Sequence, residues 1–191
     1  MNAVNIVGAG GKRRANDFYP TPPECTIALL DFLEAESSFY GSKNVWEPAC
    51  GDGAITSVLR SRGHAVIGTD ILHGEDENFL TMPIPTAAEW IITNPPFSRA
   101  ADFIRRAHET GLPFALLLKA TYWHSKRRQA LFFQKPPDYV LPLTWRPDFT
   151  GQGASLMDCA WNVWLNDRRS GLFTLYLPLE KPKEVHNAEE G

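Results

Sequence analysis

Cysteine is scarce in this chain of 191 residues: there are three, Cys25, Cys50 and Cys159. Their spacing fits no metal-ligand pattern, and an odd count argues against a disulfide framework. The five histidines, His64, His73, His108, His124 and His186, are scattered as well, so no metal is implied. No apolar run approaches the ~18–20 residues that a membrane-spanning helix needs. Met1 to Arg14 puts its short apolar stretch before Lys12-Arg13-Arg14, the reverse of a secretory signal. There is no internal repeat. Hydrophobic residues nevertheless make up 43% and charged residues 21%, which excludes a disordered chain. These features predict a soluble, cytoplasmic protein with one domain over 17–180, between a flexible N-terminal arm (1–16) and a loose tail (181–191).

Charge of one sign is also lacking overall, with a net value of −3. Its distribution is uneven. Between Phe97 and Thr150 stand nine Lys/Arg against four acids, a local excess of +5 that leaves −8 on the rest of the chain. A basic segment on an acidic body suits a local polyanion site. It equally suits solvated helix faces.

Thr21-Pro22-Pro23-Glu24 reads as a helix start. Thr21 would be the N-cap, a proline sits in the first turn, and Glu24 completes a capping box. Strands are expected at Asn44–Trp46, Ala65–Asp70 (buried), Glu89–Thr93 and Phe114–Leu118. Helices are expected at Ala54–Arg62, Ser98–Thr110 with Ser98 as cap, and Ser125–Gln134. Three strands then follow in series, Tyr139–Trp145, Asp158–Leu165 and Leu172–Leu177. Alternation followed by a strand series predicts an α/β, Rossmann-like fold, with a mostly parallel central sheet, an antiparallel edge and flanking helices. Trp161 and Trp164, three apart on one strand, should face opposite sides.

Ligands of such sheets collect at the carboxyl ends of the strands. Two unusual segments fall there. In Glu47-Pro48-Ala49-Cys50-Gly51-Asp52-Gly53, the glycines permit a tight turn before a helix N-terminus. The third glycine of a dinucleotide fingerprint is missing, and Glu47 and Asp52 would repel a pyrophosphate. Gly8-Ala9-Gly10-Gly11-Lys12 is no P-loop either, because Arg13 stands where a magnesium-binding hydroxyl belongs. Asp70, nineteen residues after Gly51, is placed to accept from both ribose hydroxyls. Together these suit a cationic nucleoside without phosphate, S-adenosylmethionine. The plainer alternatives are turn glycines and a helix-capping aspartate.

The second segment is Asn94-Pro95-Pro96-Phe97. Its prolines remove two backbone donors and stiffen the chain, Asn94 adds a side-chain acceptor, and Phe97 adds a flat ring. A rigid pair of acceptors beside an aromatic face suits a planar substrate bearing an amino group. A proline turn ending a buried strand, with Phe97 in the core, is the competing interpretation.

In that order, Glu-Pro-Ala-Cys-Gly-Asp-Gly, the strand-end Asp70 and Asn-Pro-Pro-Phe resemble the amino-group DNA methyltransferases, above all small N6-adenine enzymes of phage and prophage type. The resemblance spans roughly Asp17 to Trp164. It implies a class I methyltransferase fold without a large target-recognition domain, short or relaxed sequence specificity, and DNA as partner. It further implies that Thr21 or its neighbours meet the methionine carboxylate, that Glu47, Ala49 and Gly51 line the methionine side with Gly53 also cofactor-binding, and that Asp70 holds the ribose. Asn94, Pro95, Pro96 and Phe97 become the catalytic tetrapeptide, acting on an extruded adenine. Asn78-Phe79 stands where the family usually has Asp-Phe beside the cofactor's adenine, so weaker cofactor binding is expected.

Tyr122 and Trp123 follow an expected strand and suit the second wall of a base pocket, or packing beneath the next helix. Lys126, Arg127 and Arg128 suit phosphate contacts, and Arg146 and Phe149 in a later loop are further candidates for holding the substrate. The tetrapeptide also resembles methyltransferases acting on RNA bases or on a protein glutamine. A non-catalytic cofactor-binding module is a further alternative, which the intact Asn94–Phe97 disfavours.

Overall fold

A computed structural model describes residues 20–36, 39, 41, 43–153, 157–166 and 173–183. The expected arm at 1–16, and the tail beyond 183, lie outside the described residues. The elements in chain order are α1 (Pro23–Ala35), β1 (Asn44–Glu47), α2 (Ala54–Ser61), β2 (Ala65–Gly68), β3 (Trp90–Thr93), α3 (Ala100–Thr110), β4 (Phe114–Lys119), α4 (Gln129–Gln134), β5 (Tyr139–Pro142), β6 (Cys159–Trp164) and β7 (Leu175–Tyr176).

They form one seven-stranded sheet in the order β2-β1-β3-β4-β6-β5-β7. β1 to β4 are mutually parallel, β6 runs antiparallel to both β4 and β5, and β7 pairs parallel with β5. Side-chain alternation divides the interior into two cores. Val45, Trp90, Ile92, Leu117 and Trp161 face the side covered by α1 and α2. Trp46, Ile91, Phe114, Leu116 and Trp164 face the side covered by α3. The two tryptophans of β6 therefore point oppositely, as a period of two requires. Each large side chain so buried stabilises the fold by about 1.5–3 kcal/mol.

Several expectations are corrected. β2 is an edge strand, exposed at Ala65 and Gly68 rather than buried. The residue before α1 is Pro22, and no side chain caps that helix, so the Thr21–Glu24 capping box does not form. Arg99, not Ser98, precedes α3. The expected helix from Ser125 divides into a 3-10 turn, Lys126–Arg128, and the short α4. β5 ends at Pro142, after which Leu143 makes one isolated bridge to Leu179.

Candidate cofactor and acceptor site

The carboxyl ends of β1 and β3, adjacent in the sheet, open onto one cavity of about 400 Å³. Its first wall is the loop after β1. Gly51 and Gly53 both adopt positive φ, 52° and 84°, which lets the chain turn from strand to α2 within a few residues. Gly53 N–H closes the turn onto the Cys50 carbonyl at 2.7 Å, and Cys50 N–H bonds the Thr69 carbonyl at 3.1 Å. Asp70 fastens this loop to the end of the neighbouring strand. One carboxylate oxygen accepts Gly51 N–H and the other accepts Leu72 N–H, each at 2.9 Å. Glu77 in turn accepts Asp70 N–H at 3.1 Å and pairs with His73 at 3.0 Å. Those bonds, the backbone one first, hold the Glu77 carboxyl below its ordinary range.

Glu47 is the buried carboxyl of this wall, 1% exposed, and accepts the Thr56 hydroxyl. Burial pushes its pKa up to about 8, against the opposing hydrogen bond from Thr56 and with help from Asp70 and Asp52. The far wall is apolar. Phe79 lies between the rings of Trp46 and Phe103, with centroids at 5.1 and 4.8 Å, while Ile71 and Leu72 line the cavity although 49% and 54% exposed. Asn78 accepts Leu80 N–H at 3.1 Å, which secures the turn that carries Phe79.

The third wall is the segment after β3. Asn94 and Pro96 line the cavity, whereas Pro95 is buried beneath it. Asn94 Nδ2 donates to the Thr21 hydroxyl at 3.0 Å, joining the start of α1 to the end of β3. Phe97 stands outside the cavity lining, half-buried, with the Lys119 ammonium 4.8 Å from its ring centroid.

The structure thus brings Thr21, Glu47, Ala49, Asp70, Asn78, Phe79, Asn94 and Pro96 around one space. Gly51 and Gly53 shape its wall from behind. The second aromatic cluster is elsewhere. Tyr122 is 5% exposed, with the Arg128 guanidinium stacked on its ring at 4.1 Å, and Trp123 donates to Asn162 Oδ1 at 2.8 Å. Both pack beneath the α4 region, and neither lines the cavity. Arg128 also donates to the Tyr122 carbonyl, which turns it inward. Lys126 and Arg127 are exposed on the 3-10 turn, and Arg146 pairs with Asp158 at 2.8 Å.

Sequence reasoning missed Ile71, Leu72, Arg99, Phe103 and Lys119. The apolar pair directly after Asp70, in an otherwise polar loop, was the legible signal. Arg99 lines the cavity while bonding Asp102 at 2.8 Å, and nothing in its sequence context marks it. Among the described residues no helix is long and apolar enough to cross a membrane.

No family model matches the sequence, and no curated protein matches it. Solved structures do. A candidate class I S-adenosylmethionine-dependent methyltransferase from Listeria monocytogenes aligns at TM-score 0.60 and 13% identity, over 83% of this chain and 65% of that one. The type I restriction-modification system methyltransferase subunit from Streptococcus thermophilus aligns at 0.57 and 12%, over 84% and 47%. A candidate RNA methyltransferase from Pyrococcus horikoshii aligns at 0.55 and 14%, over 78% and 86%. The chain thus spans under two thirds of the Listeria protein and about half of the Streptococcus one. The fold is that of the class I S-adenosylmethionine-dependent methyltransferases.

Proposed function

We propose that this chain is an S-adenosylmethionine-dependent methyltransferase acting on the exocyclic N6 amine of adenine in DNA. The observation that carries this is the opening of the Glu47–Gly53 loop, Asp70, Asn94 and Pro96 onto one cavity. The donor set fits the cofactor. A volume of about 400 Å³, lined by the carboxyl groups of Glu47, Asp52 and Asp70 and by apolar Ile71, Leu72, Phe79 and Pro96, suits a cationic nucleoside. Glu47 and Ala49 would border its methionine part, Asp70 the ribose, and Asn78 and Phe79 the adenine. When bound, the cofactor supplies an electrophilic methyl group on a sulfonium.

The chain's own contribution is orientation. Asn94 Oδ1 and the Pro95 carbonyl accept from the substrate amine, drawing its lone pair out of ring conjugation and aiming it at the methyl group. Proton loss to water completes the transfer, so no strong base is required. An adenine in duplex DNA must leave the stack to reach this rim, and Phe97 offers the face on which it rests. Lys119 covers that face in the free protein, and its ammonium would have to move aside to a phosphate for a base to stack there.

DNA is favoured by the Asn-Pro-Pro-Phe resemblance and by the local excess of base between Phe97 and Thr150. RNA is the second reading, favoured by the likeness in fold to the Pyrococcus protein. Incubation with labelled S-adenosylmethionine and unmethylated DNA or RNA, followed by nucleoside mass spectrometry, decides between them. N6-methyladenine formed by the parent and absent with Asn94→Ala is the expected result. Label in RNA alone would move the substrate, and label in neither, with cofactor binding intact, would sink the nucleic-acid assignment.

A further inference from the structure

Resting on the assignment of the cofactor's adenine to the Asn78–Phe79 end of the cavity, we propose that Asn78 determines how the base is read. Its Nδ2 donates to a ring nitrogen, and the 6-amino group of the adenine is left unread. Asn78 follows the acidic turn Glu75–Glu77 and lines the cavity beside Phe79 and Leu80. Its Oδ1 accepts Leu80 N–H, two residues on, at 3.1 Å. A backbone N–H can only donate, so this contact distinguishes the two ends of the amide. Turned over, the amide would set Nδ2 against Leu80 N–H and lose the turn. Among the described residues Nδ2 has no hydrogen-bond partner, and it is the end left for a ligand.

The surroundings repeat that polarity. The Asn78 carbonyl already accepts Met82 N–H at 2.8 Å and Thr81 N–H at 3.0 Å. The Phe79 carbonyl accepts Arg106 Nε at 3.2 Å, and Arg106 also donates to the Met82 carbonyl at 2.8 Å. The acceptors of residues 78 and 79 are thus occupied, and their turn is tied to α3. Arg99 stands one turn before Phe103, whose ring meets Phe79, and it lines the cavity with further N–H donors. A carboxylate at position 78 would have one oxygen for Leu80 and a second for an amine. The amide has a single oxygen, which Leu80 holds. A purine offers ring-nitrogen acceptors to a donor such as Nδ2. The second lone pair of Oδ1 makes the opposite prediction, acceptance of the amine, and ligand analogues tell the two apart.

Calorimetric Kd values for S-adenosylhomocysteine are to be compared with those of its 6-deamino analogue. The 1-, 3- and 7-deaza analogues, in which C–H replaces one ring nitrogen, complete the set. The parent should bind the 6-deamino compound within about twofold of S-adenosylhomocysteine. It should bind one deaza compound roughly three- to tenfold more weakly, the loss of one neutral hydrogen bond. Asn78→Asp keeps an acceptor for Leu80 and adds a second, so the preferences should reverse. The 6-deamino compound then loses roughly three- to tenfold, and the deaza penalty disappears. Asn78→Ala should abolish both penalties. Ratios between ligands cancel any uniform loss of affinity from a loosened turn.

A parent penalty above about twofold for the 6-deamino compound would overturn the proposal, because the amine would then be read. So would deaza penalties that Asn78→Ala leaves unchanged, or no deaza penalty in the parent. Failure of the cofactor assignment looks different: the parent would not bind S-adenosylhomocysteine at all, and the proposal would fall with it.

Discussion

At the residue scale, Glu47 sets a pH dependence with two opposite signs. Its carboxyl holds a proton up to about pH 8 in the free protein, because burial penalises the charged form. A cation in the cavity favours the carboxylate, so binding below pH 8 expels a proton. Affinity for S-adenosylmethionine should rise from pH 6 to 8 and level off above. Calorimetry in buffers of different ionisation enthalpy will read the released proton, and Glu47→Gln should flatten the profile. Stability of the ligand-free protein runs the other way. The folded state binds the extra proton between the ordinary carboxyl pKa and 8, so this contribution is whole at low pH and declines as pH rises through 8. Lys119 gives a second residue-scale prediction. If its ammonium leaves Phe97 for a phosphate, Lys119→Ala should reduce the slope of log K against log salt by about one on duplex DNA, read by fluorescence anisotropy. An unchanged slope would leave Lys119 as packing on the ring.

At the scale of elements, α3 carries a histidine under strain of solvation. Both ring nitrogens of His108 are buried without a hydrogen-bond partner among the described residues, and its ring packs edge-on against the stacked pair Phe114 and Trp164, with centroids at 4.9 and 5.8 Å. Burial first, and Lys135 second, depress its pKa to about 4. The unfolded chain takes up that proton at ordinary histidine pH. Its contribution to stability is thus present above about 6.5 and lost as pH falls toward 4. Urea unfolding at pH 5 and 7 should show a smaller difference for His108→Phe than for the parent. The loop between β1 and α2 makes a different demand. Gly53→Ala places a Cβ at φ 84°, where L-residues lose about 1–2 kcal/mol, while its nearest neighbour, Thr56 Cβ, stays at an ordinary 3.8 Å. The urea midpoint should fall through backbone strain alone.

Over the whole molecule, the parallel half of the sheet was legible because its signals are local. Val45-Trp46, Ile91-Ile92 and Phe114–Leu118 declare their strands by apolar content, and the glycine loop and proline tetrapeptide mark the ends that share a rim. What escaped depends on contacts distant in sequence. β2 carries the same apolar pattern as a central strand, and only its place at the edge exposes it. Thr21-Pro-Pro-Glu has the form of a helix cap, yet its hydroxyl is claimed by Asn94, 73 residues away. Tyr122, Trp123 and Arg128 read as surface chemistry until Asn162 and the aromatic core draw them in.

The double anchorage of Asp70 makes one wall of the cavity complete before anything enters it. Its oxygens already clasp the amides of Gly51 and Leu72 at 2.9 Å. Exchange of those two amide hydrogens with deuterium should therefore be slow in the empty protein and barely slower once S-adenosylhomocysteine is added. Encounter with the ligand then involves no wait for a loop to order, and a mutation that unhooks Asp70 would show first as a slower association rate.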